Sequence, residues 1–363
     1  MKKGKIGSMD IVLLGEFSGF NKNLNEGLRA LGHNSRVIAS GDGWKNIDVD
    51  ILIKQNNNNI IEKLKYRYKW YHVLSNIKKY DIVQLINPWI LRLKFFPSYY
   101  IIKSLLRNNK KTFLSAAGDD AYYWKYGRKQ LRYGPFEDSL KYDIKKNKSV
   151  CEKPDFIAFN QFIADNCKGI IPISYEYAIS YKIHNNCRKF IPLPINTDSI
   201  SYSPNIVRDK IVIFHGLNRY GSKGTRFIEK AFKILQEKYP HDLELIIDGK
   251  MPLNIYLDVM RRTNVVVDQT YGYSCGMNAI YALAMGKIVM GGAEPESLAL
   301  LGVDKSPIIN ILPDVDDIVR KVEWILDNKN NIEKIGYEGR AFVEENHNYI
   351  KIAEQYIDVW NNF

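Results

Sequence analysis

Apolar residues recur along the chain with two spacings, and their alternation predicts a β-α-β order. Residues 9–14 are almost continuously apolar, as strands buried on both faces of a parallel sheet are. A loop with Gly15 and Gly19 follows, and then Leu24, Leu28 and Leu31 at helical spacing up to Gly32. Residues 35–39 predict the next strand. Further strands are expected at 82–86, 112–116 and 169–174, the first two ending in polar loops, Asn87-Pro88 and Gly118-Asp119-Asp120. Loops after strands are where doubly wound folds place ligands. Residues 121–153 are aromatic and charged with weak periodicity, and Pro192, Pro194 and Pro204 mark a linker.

From Lys210 the pattern restarts. Strands are predicted at 211–214, 243–247, 265–267 and 287–290, and helices at 227–238, 279–285, 315–326 with Asp314 as N-cap, and 350–360. The fold class is therefore α/β, with two Rossmann-like doubly wound units, and 363 residues is the length of two ordinary domains. The expected divisions are 1–203, 204–345 and a terminal helical segment, 346–363.

Composition narrows the class. A hydrophobic fraction of 45% and a charged fraction of 25% are those of a soluble globular chain, and no apolar run is long enough to cross a bilayer. Residues 1–8 are basic without the apolar core of a signal peptide, which gives a cytoplasmic expectation. Cys151, Cys167, Cys187 and Cys275 have neither zinc-site spacing nor disulfide-scaffold density, so they read as reduced thiols. The net charge of +12 is uneven. From Ile206 onward there are 19 basic and 22 acidic residues, against 33 and 18 before it. A half carrying +15 suits an anionic partner: nucleic acid, a membrane surface or a phosphorylated acceptor.

Two loops are candidates for chemistry. Residues 214–225 lie between a strand and a helix and combine glycines with Arg219 and Lys223, the ingredients of a diphosphate site. Residues 268–279 form a second glycine-containing loop ahead of a helix, where Tyr271 or Tyr273 could stack on a ring. Both sit at the carboxyl ends of expected strands, so a shared nucleotide crevice explains the pair better than two ordinary loops do.

With these loops in place, the sequence resembles the bacterial GT-B glycosyltransferases, family 4-like, a group that includes sucrose-synthase-like and capsule or lipopolysaccharide sugar transferases. The resemblance runs along nearly the whole chain. It rests on Leu31-Gly32-His33 after the glycine loop, Lys168 to Ser174, Ile191 to Asp198, Lys223-Gly224-Thr225, Asp268-Gln269 and Ala282 to Val289. It implies two domains facing a cleft, with the terminal helix crossing back onto the first. It also implies a nucleotide-diphosphate sugar between them, and a metal-free, cofactor-free displacement at the anomeric carbon in which Arg219 and Lys223 stabilise the departing diphosphate. The implied donor set is Gly15, Gly19, His215, Asn218, Arg219, Lys223, Gly224, Tyr273, Ser274, Gly276, Met277 and Asn278. Asp119 and Asp120 are the implied acceptor-side pair, as base or as hydroxyl ligands, with helix capping the alternative reading.

One departure stands out. The family places two glutamates eight positions apart where this chain has Tyr273 and Tyr281. Glu294 and Glu296 are the candidate replacements, against a solvated loop. Asp48/Asp50 and Asp314/Asp316 have Asp-x-Asp spacing but not the setting of a metal site. The expected partners are the donor and a glycan or lipid-diphosphate-linked acceptor. Lys63, Lys65, Arg67 and Lys69, interleaved with Tyr66, Tyr68, Trp70 and Tyr71, and the stretch 89–111 with Leu93, Phe95, Phe96, Tyr99 and Tyr100, suggest peripheral membrane association. No nucleic-acid motif is present, which ranks nucleic acid last. A nucleotide-sugar epimerase and a non-catalytic glycan-binding subunit of the same fold are the competing functions.

Overall fold

The computed structural model describes residues 7–43, 47–57, 59–92, 97–249, 251 and 253–363. Two parallel sheets organise the chain. The first contains β1 (Asp10–Leu14), β2 (Asn34–Ala39), β3 (Ile51–Leu52), β4 (Ile82–Leu85), β5 (Lys111–Ala116) and β6 (Gly169–Pro172), in the order β3-β2-β1-β4-β5-β6. The second contains β7 (Ile211–Gly216), β8 (Leu243–Asp248), β9 (Val265–Val267), β10 (Ile288–Gly291) and β11 (Ile309–Asn310), in the order β11-β10-β9-β7-β8. Each order reverses beside its first strand, the topological switch that opens a crevice at the carboxyl edge.

The helices of the first unit are α1 (Phe20–Ala30), α2 (Ile60–Ser75), α3 (Ser98–Asn108), α4 (Pro154–Asn166) and α5 (Tyr175–Tyr181). Those of the second are α6 (Thr225–Lys238), α7 (Leu253–Arg262), α8 (Met277–Ala284), α9 (Pro295–Leu301), α10 (Val315–Asp327) and α11 (Ile332–Asn346), and α12 (Tyr349–Asn362) ends the chain. Asp314 caps α10 as expected, its carboxylate accepting from Asp317 N at 2.7 Å. Among the described residues no helix is long and apolar enough to cross a membrane.

The two units share one core. A single buried cluster runs from Ile11, Leu13 and Phe20 through Ile191, Leu193 and Ile195 to Phe214, Val266 and Ile280. The proline-marked linker contributes Ile191, Leu193 and Ile195 to the interior, and Ile195 pairs with the returning chain at Asn348. Helix α12 crosses back onto the first sheet. It packs along α1 so closely at Gly27 that any side chain there would meet the Tyr349 carbonyl. Trp360 is fully buried, and its indole donates to Gln84 Oε1 at 2.9 Å in the middle of β4. Gln84 in turn donates to Ser115 Oγ at 3.0 Å, and Lys111 Nζ donates to the Trp360 carbonyl at 2.6 Å. A polar side chain in a central strand is tolerated because it has these partners.

Residues 121–153, unreadable by periodicity, contain two π-helical turns, Tyr123–Gly127 and Ser139–Ile144. They form a strap that leaves the first sheet after β5 and reaches the second unit. Two surface expectations are corrected. Trp70 is buried and Tyr66 and Tyr71 pack on the core beneath α2, so they are not surface aromatics. Leu93, Phe95 and Phe96 lie outside the described residues.

Replacing Trp360 with Ala removes the largest side chain of this shared core and strands the Gln84 amide. Urea titration should show a loss of about 3–5 kcal/mol in folding stability.

Candidate active site

The carboxyl ends of β7, β9 and β10 face the carboxyl end of β5 across the interface of the two units. After β7 the chain makes a compact turn over 219–224, closed by Lys223 N donating to Arg219 O and Gly224 N to Gly221 O. Gly224 adopts φ +67°, and a side chain there would collide with Thr270, so glycine alone fits the start of α6. Lys223 is held inward against Asp268 at 3.1 Å, both nearly buried, and Asn278 also donates to Asp268. Arg219 stands outward, 60% exposed, and meets Asp119 of the β5 loop at 3.1 Å. Gly276 begins α8 with no side-chain cap, leaving the helix-start dipole directed at the same region. Lys223 and Asn278 are therefore brought together at Asp268 beside the start of α8 at Gly276, while Arg219, on the same turn as Lys223, pairs across the interface with Asp119.

The remaining expected residues are placed otherwise. His215 is fully buried, its ring bridging the Val267 carbonyl at 2.8 Å and Thr225 Oγ1 at 2.9 Å. Burial, reinforced by Lys223, holds its pKa down at about 3, so it is a neutral tie between strand and helix without access to a ligand. Asp120 is also fully buried. Tyr123 N and Tyr181 Oη donate to its two oxygens at 2.8 and 2.7 Å, and desolvation raises its pKa to about 7. The capping alternative holds for Asp120, and Asp119 is the member of the pair that faces the cleft. Asn218 is exposed on the turn.

The first glycine loop is similarly filled from within. Glu16 accepts from Gly19 N and Lys22 N, each at 2.8 Å, and Asp42 accepts from Ser18 N at 2.9 Å. Those N–H groups already have carboxyl partners, so the loop that carries Gly15 and Gly19, expected in the donor-binding set, is filled from within the chain. Gly15 is buried against Ile86 and Ile90, and Gly19 at φ +87° lets the Tyr281 hydroxyl come against the backbone. Tyr281 also accepts from Asn23 Nδ2 at 3.0 Å. Burial raises the pKa of Glu16 to about 7.

Tyr273 and the two glutamates join the units. Tyr273 is buried between Tyr133 and Tyr175, stacked at 4.8 and 5.4 Å, and its hydroxyl accepts from Arg132 N at 2.7 Å. Glu294 and Glu296 both pair with the Arg132 side chain, so Glu294 is a buried partner of the strap and not part of a solvated loop. Ser274 Oγ accepts from Tyr175 N.

Sequence reasoning missed how acidic the opposing surface is. Asp143 accepts from Gly221 N at 3.0 Å and from Ser222 N at 2.7 Å. Glu176 accepts from Tyr273 N and Ser274 N, at 2.7 and 3.0 Å. Asp138 pairs with Arg226 at 2.5 Å and accepts from Tyr271 Oη at 2.7 Å. Each loop expected to hold phosphate thus meets a carboxylate of the first unit in this closed arrangement. Residues 121–153 carry nine basic and four acidic side chains, so their composition gave no signal of the carboxylates they present here. Among the described residues no group of three or more His, Cys, Asp or Glu is placed to hold a metal ion.

No protein-family model matches the sequence, and comparison with curated proteins gives no match either. Solved structures do share the fold. A sucrose-phosphate synthase from Thermosynechococcus elongatus aligns with a TM-score of 0.63 at 14% identity, covering 97% of this chain and 98% of that one. The Anabaena protein HepE, solved in complex with UDP-glucose, gives 0.61 at 13% identity, covering 98% and 100%. A glycosyltransferase from Rickettsia africae gives 0.57 at 12% identity, covering 98% and 99%. The chain therefore has the GT-B fold over 97–98% of its length.

The two cations are expected to separate by assay. Arg219→Ala removes an exposed ion pair and should change stability by less than about 1 kcal/mol. Lys223→Ala leaves Asp268 buried without its partner and should cost about 3–5 kcal/mol. A urea titration of each variant reads the difference.

Asp120 and Glu16 have folded pKa values raised above their unfolded ones. Their stabilising contribution is complete below about pH 4 and is lost as the pH rises through about 7. Asp120→Asn removes its share of this loss, so the thermal midpoint of the variant relative to the parent should rise between pH 5 and 8, whatever the opposing contribution of the buried neutral histidines His215 and His347, which both chains share.

Proposed function

We propose that the chain transfers a sugar from a nucleotide-diphosphate donor to a glycan or lipid-diphosphate-linked acceptor, in the assembly of a bacterial surface polysaccharide at the inner face of the cell membrane. The observation that carries this reading is the convergence of Arg219, Lys223 and the uncapped start of α8 at the interface of two GT-B units. One fixed cation, one exposed cation and a helix N-terminus are suited to a diphosphate, and they stabilise it most as it departs with the electrons of its bond to the anomeric carbon. HepE, with the same fold, was solved with UDP-glucose, which makes UDP the first nucleotide to test.

The reaction is proposed to need no metal, because the cations supply the charge that a divalent ion would otherwise bring. It is proposed to retain anomeric configuration. Asp120 is sealed in its capping role and is not placed as an acceptor base, and Asp119, released when the diphosphate takes Arg219, is assigned to binding acceptor hydroxyls. The acceptor proton then passes to the leaving phosphate oxygen, on the face where the new bond forms. The anomeric carbon–phosphate bond breaks, the carbon–acceptor oxygen bond forms, and a glycoside and a nucleoside diphosphate result.

A second reading has its own support. Tyr273 is locked between Tyr133 and Tyr175, and Tyr281 abuts Gly19, so both positions that carry glutamate in the family serve domain contact. This favours a non-catalytic subunit of GT-B fold.

Calorimetry of the full chain with UDP, GDP, CMP, dTDP and their sugars, in chelator, should show one nucleotide diphosphate binding. Arg219→Ala should weaken it by about 1.5–3 kcal/mol. Incubation of that nucleotide sugar with a lipid-linked acceptor should release the free diphosphate and extend the acceptor, the anomeric proton coupling giving the configuration. Nucleotide binding without turnover would select the subunit reading, and a changed sugar still attached to nucleotide would select an epimerase.

A further inference from the structure

The strap rests on the turn that carries Arg219 and Lys223, and one short segment of it, 138–143, makes the contact. Asp143 Oδ1 accepts from Gly221 N at 3.0 Å, and Asp143 Oδ2 accepts from Ser222 N at 2.7 Å and Ser222 Oγ at 2.8 Å. Ser139 Oγ meets Ser222 Oγ at 3.0 Å, and the Tyr142 ring lies edge-on to Tyr220 at 5.0 Å. At Gly221 the fit is so close that a side chain would run into the Asp138 carbonyl. Consecutive backbone N–H groups that converge with a hydroxyl on one anion are the donor set by which a loop holds a phosphate group. Here the anion is a carboxylate of the chain itself. The backbone that delivers it is unusual: Ser139–Ile144 is a π-helical turn, closed by Lys145 at φ +55°, a left-handed conformation costly for a side chain other than glycine. Such strain persists only where the surroundings hold it, and here they are the second unit, with Asp138 paired to Arg226 at 2.5 Å and accepting from Tyr271 Oη at 2.7 Å.

We propose that the strap is an internal inhibitor of this site: Asp143 holds the Gly221 and Ser222 donors in place of an anionic ligand, and a diphosphate enters only as segment 138–143 lifts away. The inference rests on the diphosphate reading of Arg219 and Lys223 given above. Both anions seek the same turn and their charges repel, so each weakens the binding of the other. The apparent dissociation constant is then the intrinsic one divided by the fraction of molecules whose strap is lifted. Neutralising Asp143 raises that fraction, and affinity for any diphosphate rises with it, whatever base or sugar is attached. Asp143→Asn leaves one acceptor oxygen and turns an amide NH2 toward the turn's own donors, so it releases the strap without changing its size.

Inorganic pyrophosphate and UDP are the probes, the first carrying the diphosphate without base or sugar. In calorimetry of the full chain at fixed ionic strength, Asp143→Asn should bind them about five-fold or more tightly than the parent. Tyr142→Ala, which loosens the strap without touching the donors of the turn, should shift affinity the same way by a smaller factor. Hydrogen exchange gives a second readout on the parent chain, independent of how well either variant folds: pyrophosphate should speed exchange of the amides in 138–143 while those of Gly221 and Ser222 stay protected. Equal affinity in the parent and both variants overturns the inhibitor and leaves the diphosphate site standing. Parent and variants that bind neither probe overturn site and inhibitor together. Weaker binding by Asp143→Asn, or slower exchange in 138–143 with pyrophosphate, also overturns the proposal and makes the strap a lid that closes over the ligand.

Discussion

The second sheet ends in turns where four backbone N–H groups, those of Gly221, Ser222, Tyr273 and Ser274, donate across the interface, and donors of that kind are costly when buried unless something accepts from them. In the closed molecule the acceptors are carboxylates of the first unit. Asp143 covers Gly221 and Ser222, and Glu176 covers Tyr273 and Ser274. The closure of the two units, the order of the strap and the partial burial of the cleft all depend on this pairing. It also explains why so much of the candidate site is acidic on one side and cationic on the other.

The same arrangement sets what remains for a ligand. Glu16 and Asp42 occupy the N–H groups of the first glycine loop, leaving that loop to cap α1. Arg219 is the most accessible of the cations and is countered by Asp119, an exposed pair that a polyanion can exchange at little cost. Lys223 is different, because its counter-ion Asp268 is buried with it. One cation can follow a ligand and the other is fixed in place, a combination suited to a site that opens and closes on its substrate.

Below the cleft, the shared core keeps the units in register. The linker strand at Ile195 pairs with Asn348, and α12 then carries Trp360 to Gln84 at the centre of the first sheet. Two crossings lie side by side, one joined by backbone pairing and one by a buried indole, and both tie the second unit to the first.

The sequence by itself determined the α/β order, because strand and helix periods are local properties of neighbouring residues. The strands at β1, β7 and β9 and the capped helix α10 were legible for that reason, whereas the return of α12 onto the first sheet came from the family resemblance and not from any local period. Only the tertiary structure decided which polar residues the ligand can reach. Asp119 and Asp120 are adjacent in sequence, yet one faces Arg219 and the other is sealed under Tyr181, a difference set by elements about 60 and 100 residues away. His215, Tyr273 and Glu294 likewise lost their expected roles to partners that no local pattern could name. The strap at 121–153 was illegible because its order comes from the second unit, through Arg132, Asp138 and Asp143, and not from a period of its own.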